Sequence, residues 1–261
     1  MRQKISDKRW YDYLIRNTKL NINPNIIKLD RIDSTNNFAK DIINSKIVSD
    51  WTVIHATEQS QGRGQRGNTW QSNPNENLTF SLIISPNIKV EKQFYISKIV
   101  SLALLNFFNK YSNNATIKWP NDIYIDDKKI AGILIENYIQ ANKINKSIIG
   151  IGININQCEF DENIPNPISL KQLTNKSFDL NTVLLQIIDE IYIMHQSINN
   201  YKLIDNLYNK NLYRLEKETQ FKDKNNKIFN AIIIGTNEEG KLKLKINNEI
   251  KFFDFQEVRL S

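Results

Sequence analysis

Apolar residues along the chain repeat with two periods, and the switches between them predict an order of elements. Alternating or continuous apolar runs predict strands at 26–32 (IIKLDRI), 51–57 (WTVIHAT) and 77–85 (NLTFSLIIS), the last ended by Pro86. Between the first two, Asp33, Ser34 and Thr35 open a helix, with Ser34 or Thr35 as its cap and Phe38, Ile42 and Ile43 on one face. A longer helix is predicted over 91–111, where Phe94, Ile99, Leu102, Leu105 and Phe108 make a stripe able to pack across a sheet. A strand through Lys118 stops at Pro120, whose ring cannot continue a ladder, and the chain turns at Asn121 and Asp122. The hairpin DIYID-DKK-IAGILIE follows, and the glycine-bearing segment 148–156 (IIGIGININ) forms another strand. Residues 157–177 read as irregular. Helices come next, over 179–198 and about 203–214, and then short strands at 219–222, 228–235, 241–246 and 250–255. This order predicts strands and helices interleaved over 1–213, then a small β-barrel over 214–261.

Candidate chemistry is concentrated at 58–70, EQSQGRGQRGNTW, where Gly62, Gly64 and Gly67 interleave with Arg63 and Arg66. Bare backbone and guanidinium forks in one short loop suit an anion, although such residues also collect in ordinary surface loops. The glycines match G-x-G-x-x-G, but no helix opens on them to receive a pyrophosphate; Asn68 stands where a Walker loop needs lysine. Gly132, Gly150 and Gly152 lie within strands, where glycine costs stability. A flat ligand lying on bare backbone is one reason to keep them, and a bulge or tight strand crossing is another. His55 sits inside a strand without an evident acid or serine partner and reads as core, and His195 beside the core residue Met194 reads as incidental.

Five segments in order, DSTN at 33–36, EQ with GRG-x-RG at 58–67, KWPND at 118–122, KIAGILIE at 129–136 and GIGIN at 150–154, give the chain a resemblance to the biotin protein ligases. The resemblance covers roughly 26–156, with a fainter match beyond. It implies an α+β fold, a mixed, mainly antiparallel sheet flanked by helices in a class II synthetase-like catalytic core, with a small C-terminal SH3-like β-barrel. The implied reaction makes biotinyl-adenylate from biotin and ATP with Mg²⁺, then biotinylates a lysine of a carboxylase carrier protein. Carried over onto this chain, Ser34, Thr35, Asn36, Gln59, Arg63, Gly64, Gln65, Lys118, Gly132 and Gly152 surround biotin. Arg63, Arg66, Trp70, Asn121 and Asn154 contact the nucleotide, and Lys118, Arg63 and Asp122 carry the catalysis. No dedicated metal cage is expected, since ATP brings the magnesium. One position departs from the pattern: after Gly64 these enzymes commonly carry arginine, and here Gln65 leaves one positive charge missing.

Composition narrows the alternatives. The net charge of +7 is spread along a chain rich in Lys, Asn and Ile, without the clustered basic residues and exposed aromatics that a nucleic-acid-binding module needs. A lipoate-type ligase shares the chemistry, but KWPND and the GRG loop favour biotin. A single cysteine, Cys158, rules out an internal disulfide and fits a reducing compartment. No apolar run reaches membrane-spanning length, and the charges within 1–20 argue against a signal peptide, so a cytoplasmic protein is expected. About 25 residues before the first strand are too few for the DNA-binding module that some of these ligases carry. A homodimer is left open.

Overall fold

The computed structural model describes residues 22–45 and 47–261. Segment 1–20, read above for targeting, lies outside the described residues, as does the side chain of Arg66. In chain order the elements are β1 (Asn25–Ile32), α1 (Thr35–Ser45), β2 (Thr52–Gln59), β3 (Leu78–Ile84), β4 (Ile88–Lys89), α2 (Phe94–Phe108), β5 (Ala115–Lys118), β6 (Asp122–Ile125), β7 (Lys128–Gln140) and β8 (Lys143–Ile153). They are followed by α3 (Leu170–Thr174), α4 (Leu180–His195), α5 (Tyr201–Lys210), β9 (Glu218–Asp223), β10 (Ile228–Thr236), β11 (Leu242–Ile246), β12 (Glu249–Phe253) and β13 (Val258–Leu260).

The first eight strands form one mixed sheet in the order β1-β2-β3-β8-β7-β6-β5, with β4 paired to β8. β1 and β2 run parallel, and the other pairings are antiparallel. The apolar runs in β2, β3 and β8 are continuous because both faces of the sheet are covered. Ile54, Ile83 and Ile148 point to α1, where they pack with Ala39 and Ile42. Their neighbours Val53, Leu82 and Ile149 point the other way, into the large core beneath α2, α4 and α5. Helix α2 is buried on nearly every side, so the one-face stripe expected over 91–111 underestimates it. Even Lys98 is fully buried; its ammonium donates to Asp205 Oδ1 at 2.5 Å and to the Asn237 carbonyl at 3.2 Å.

Two expectations change in detail. Segment 157–177 contains α3, started by a capping box in which Gln172 N donates to Ser169 Oγ and Ser169 N donates to Gln172 Oε1. The helix placed at about 203–214 runs instead from Tyr201 to Lys210, capped by Asn200. Its expected last turn leaves the helix to bond β5, where Ile117 N donates to Asn211 O and Tyr213 N to Ile117 O, both at 2.8 Å. The edge strand's unpaired backbone outcompetes the final helical turn.

The C-terminal strands form a second, antiparallel sheet in the order β12-β11-β10-β9-β13. β13 is an addition to the predicted set: three residues are too few to show a period. This sheet is docked on the first unit through α2, α5 and the turn before β6. Trp119 Nε1 donates to Gly240 O at 2.8 Å, and Thr236 N donates to Asn209 Oδ1 at 2.8 Å. Among the described residues, no helix is long and apolar enough to cross a membrane.

Candidate active site

A cavity of about 460 Å³ opens where the middle of the mixed sheet meets the C-terminal sheet. Its volume falls in the ordinary range for small-ligand sites, about 300 to 1,000 Å³. The start of α1 contributes Ser34, Thr35 and Asn36, and the end of β2 contributes Gln59. The loop after β2 supplies Arg63, Gly64, Gln65 and Trp70, and the β5–β6 hairpin supplies Lys118, Asn121 and Asp122. Gly132 of β7 and Gly152 of β8 form the floor. Thus residues predicted from segments nearly 120 positions apart come together around one space. Asn154 does not line it: its side chain donates to the Ile168 carbonyl at 3.2 Å and its backbone N–H to Ile130 O. In this structure Asn154 braces β8 against the chain entering α3.

The start of α1 is buried rather than open, with Ser34, Thr35 and Asn36 each 3% exposed or less. Gln59 Oε1 accepts from Thr35 N at 2.7 Å and from Thr35 Oγ1 at 3.1 Å, doing part of the work of a helix cap. Ser81 Oγ lies 2.8 Å from Thr35 Oγ1 and donates to Asn36 Oδ1 at 2.6 Å. These groups form a dry polar wall whose members already hold one another in place.

The Gly/Arg loop is a narrow hairpin. Gly64 N donates to Asn68 O at 2.7 Å, Trp70 N donates to Gly62 O at 2.9 Å, and Arg63 bridges to Thr69. Its end lays the Trp70 indole over the glycine floor. A Cβ added at Gly152 would come within 2.3 Å of the indole Cε2, and one at Gly132 within 3.1 Å of Cζ3. Gly132 and Gly152 are paired in unbroken register, so neither marks a bulge. In this structure the flat group lying on bare backbone is the protein's own tryptophan. Gly150 serves Asn36 similarly, since a Cβ there would meet Asn36 Oδ1 at 2.3 Å.

The two predicted cations differ in their partners. Arg63 Nη2 lies 3.0 Å from Glu136 Oε1, while Nη1 donates to Asn37 Oδ1 at 2.9 Å. Lys118 donates to the Tyr124 hydroxyl at 2.8 Å, and burial pushes its pKa below the ordinary lysine value, against the pull of Asp122. Asp122 itself sits 2.8 Å from the ammonium of Lys129.

Sequence reasoning assigned no role to Glu136, Tyr124, Lys129 or Tyr213, nor to the second sheet's contribution of Phe221, Leu242, Val258 and Leu260. Strand parity would have reached two of them. Glu136 shares a face with Gly132 and Leu134, and Tyr124 shares one with Asp122. His55 is buried in β2 outside the cavity, and burial lowers its pKa; His195 is half-buried, edge-on to Trp51.

Residues 29–154 match the biotin/lipoate A/B protein ligase family. Over 133 residues the chain is 35% identical to the bifunctional ligase/repressor BirA of Bacillus spizizenii, covering 51% of this chain and 41% of that protein. Over 130 residues it is 33% identical to the biotin–[acetyl-CoA-carboxylase] ligase of Paracoccus denitrificans, covering 49% of this chain and 53% of that one. The matched segment thus spans about half or less of these relatives. The biotin protein ligase of Aquifex aeolicus, solved in complex with biotin and ATP, has the same fold at a TM-score of 0.75 and 27% identity. That likeness covers 91% of this chain and 99% of the Aquifex chain.

Proposed function

We propose that the protein is a biotin protein ligase. What carries the reading is the convergence of Lys118, Arg63 and the buried polar wall on one cavity, in a chain that matches this family over residues 29–154. The cavity holds two anions, a carboxylate and a triphosphate, whose mutual repulsion needs fixed positive charge nearby. A carboxylate oxygen of biotin attacks the α-phosphorus of ATP, the bond to the β-phosphate oxygen breaks, and pyrophosphate leaves. Lys118 stands where negative charge builds, and Arg63 presents its fork once it exchanges Glu136 for substrate. In this reading magnesium would arrive on the ATP phosphates and neutralise the leaving group.

The mixed anhydride must be kept from water until a lysine of the carrier protein arrives. The wall of Thr35, Asn36 and Gln59 addresses biotin's polar ring, and Gly64 and Gln65 flank it. Trp70 and Asn121 are nucleotide contacts of this reading. In the second step the lysine nitrogen attacks the acyl carbon, the bond to the phosphate oxygen breaks, and AMP leaves. Asp122, paired with Lys129 at 2.8 Å, is the candidate to orient the amine and accept its proton. The partner is a biotin carboxyl carrier domain. We also propose a division at 213/214 in which the C-terminal sheet closes the catalytic cavity rather than serving a separate task.

The test is biotin-dependent exchange of labelled pyrophosphate into ATP. Exchange is expected with biotin and not with lipoate. A pure, folded protein that exchanges nothing in the presence of both substrates ends this reading.

A further inference from the structure

We propose that Tyr124 is a positioning residue for Lys118: its phenolic oxygen aims the ammonium at the cavity through a neutral contact that an arriving anion displaces without breaking an ion pair. The proposal rests on the reading of Lys118 as the cation of the adenylating step.

The hairpin builds the contact. Lys118 pairs with Asp122 and Thr116 with Tyr124 across β5 and β6, so Lys118 and Tyr124 are diagonal neighbours on one face. The ammonium lies 2.8 Å from the Tyr124 hydroxyl and 4.6 Å from the ring centroid, so the side chain is held by both oxygen and ring face. Lys118 lines the cavity, whereas Tyr124 is 7% exposed and lies behind it. Tyr124 therefore acts through the lysine rather than on substrate.

The phenol is itself fixed. Tyr213 packs on it with ring centroids 5.2 Å apart, donates its hydroxyl to Asp127, and is tied to β5 through Ile117. Burial, with a smaller push from Asp122, raises the Tyr124 pKa to about 12, so the partner stays a neutral phenol through the working range. The charged groups bearing on Lys118 are Asp122 of β6, which favours the ammonium, and Arg214 beyond α5, which opposes it. Lys129 of β7 already holds Asp122 at 2.8 Å. An acceptor oxygen on the ammonium favours its charged form. Removing that oxygen lowers the lysine pKa further and loosens its aim.

The experiment measures kcat, KM and the pH profile of biotin-dependent pyrophosphate exchange for wild type, Tyr124→Phe and Tyr124→Gln, with melting temperatures alongside. Tyr124→Phe keeps the ring and the packing on Tyr213 but loses the oxygen. Its kcat is expected to fall about tenfold, as for a lost hydrogen bond to a charged group, with KM for biotin nearly unchanged. Its alkaline limb should move to lower pH. Tyr124→Gln restores an acceptor without the ring, and its alkaline limb should stay nearer that of wild type. In a Lys118→Met background, Tyr124→Phe should cause no further loss. An unchanged alkaline limb in Tyr124→Phe, or losses that multiply in the double variant, overturns the proposal. Absence of exchange in wild type would instead sink the reading of the site, a separate and distinguishable failure.

Discussion

Arg63 and Lys118 face the same cavity but are held in opposite ways. Arg63 sits at the rim, its side chain 41% exposed, with its charge engaged by Glu136 and its other arm by Asn37. Lys118 sits deeper, where burial works against its charge and its near contact is the uncharged phenol of Tyr124. An exposed ion pair is worth about 0 to 1 kcal/mol, so exchanging Glu136 for a substrate anion is nearly cost-free. A desolvated ammonium with a neutral partner instead gains strongly from any anion that reaches it. Under the proposed function, the contrast gives Arg63 capture and cover and Lys118 the step in which charge develops.

Breaking the deeper arm should have the largest effect. Lys118→Ala is expected to lower kcat of biotin-dependent pyrophosphate exchange by about 10²-fold or more, the usual loss for a transition-state charge contact. Arg63→Ala should fall short of that, at roughly tenfold, and act mainly on KM for ATP, as expected of a contact that binds ground and transition states alike. Equal losses in kcat for the two variants would erase the distinction. Filling the floor comes next. Gly152→Ala puts a methyl 2.3 Å from the indole ring, which must shift; the melt should show about 1 to 3 kcal/mol of destabilisation from overpacking, with weaker biotin binding. Restoring a cation at the rim tests retention. Wild type should release biotinyl-adenylate that labels bystander amines, and Gln65→Arg should reduce that labelling several-fold, read by blotting against an unrelated protein. An enzyme that already labels its carrier alone would refute this. The smallest effect is expected from Glu136→Gln, which frees Arg63: KM for ATP should drop by less than tenfold and become more salt-sensitive.

The fold was legible where long periodic segments decided it. Strands β1, β2 and β3 and helices α2 and α4 lie within a few residues of their predicted places, because each has apolar positions enough to show its period. β13 has three residues, and α3 announces itself only through Ser169 and Gln172. Of the predicted site residues, all but Asn154 and Arg66, whose side chain is not described, line the cavity. Asn154 differed because a buried carboxamide at the end of β8 is claimed by the backbone groups around it. The glycine floor was visible as an anomaly in the strands, but not its occupant. Trp70 is more than 60 residues from Gly132, and only the hairpin of the Gly/Arg loop brings the indole there.

By itself, the order of apolar and polar residues determined a run of interleaved strands and helices followed by a small β unit. Its short motifs picked out side chains that line one cavity. Those are local properties, set by periodicity, turn residues and functional-group type. The partners of each charge were decided only by tertiary structure: Glu136 for Arg63, Tyr124 for Lys118, Lys129 for Asp122. Electrostatics depends on distances through space and on burial, and neither follows from spacing along the chain.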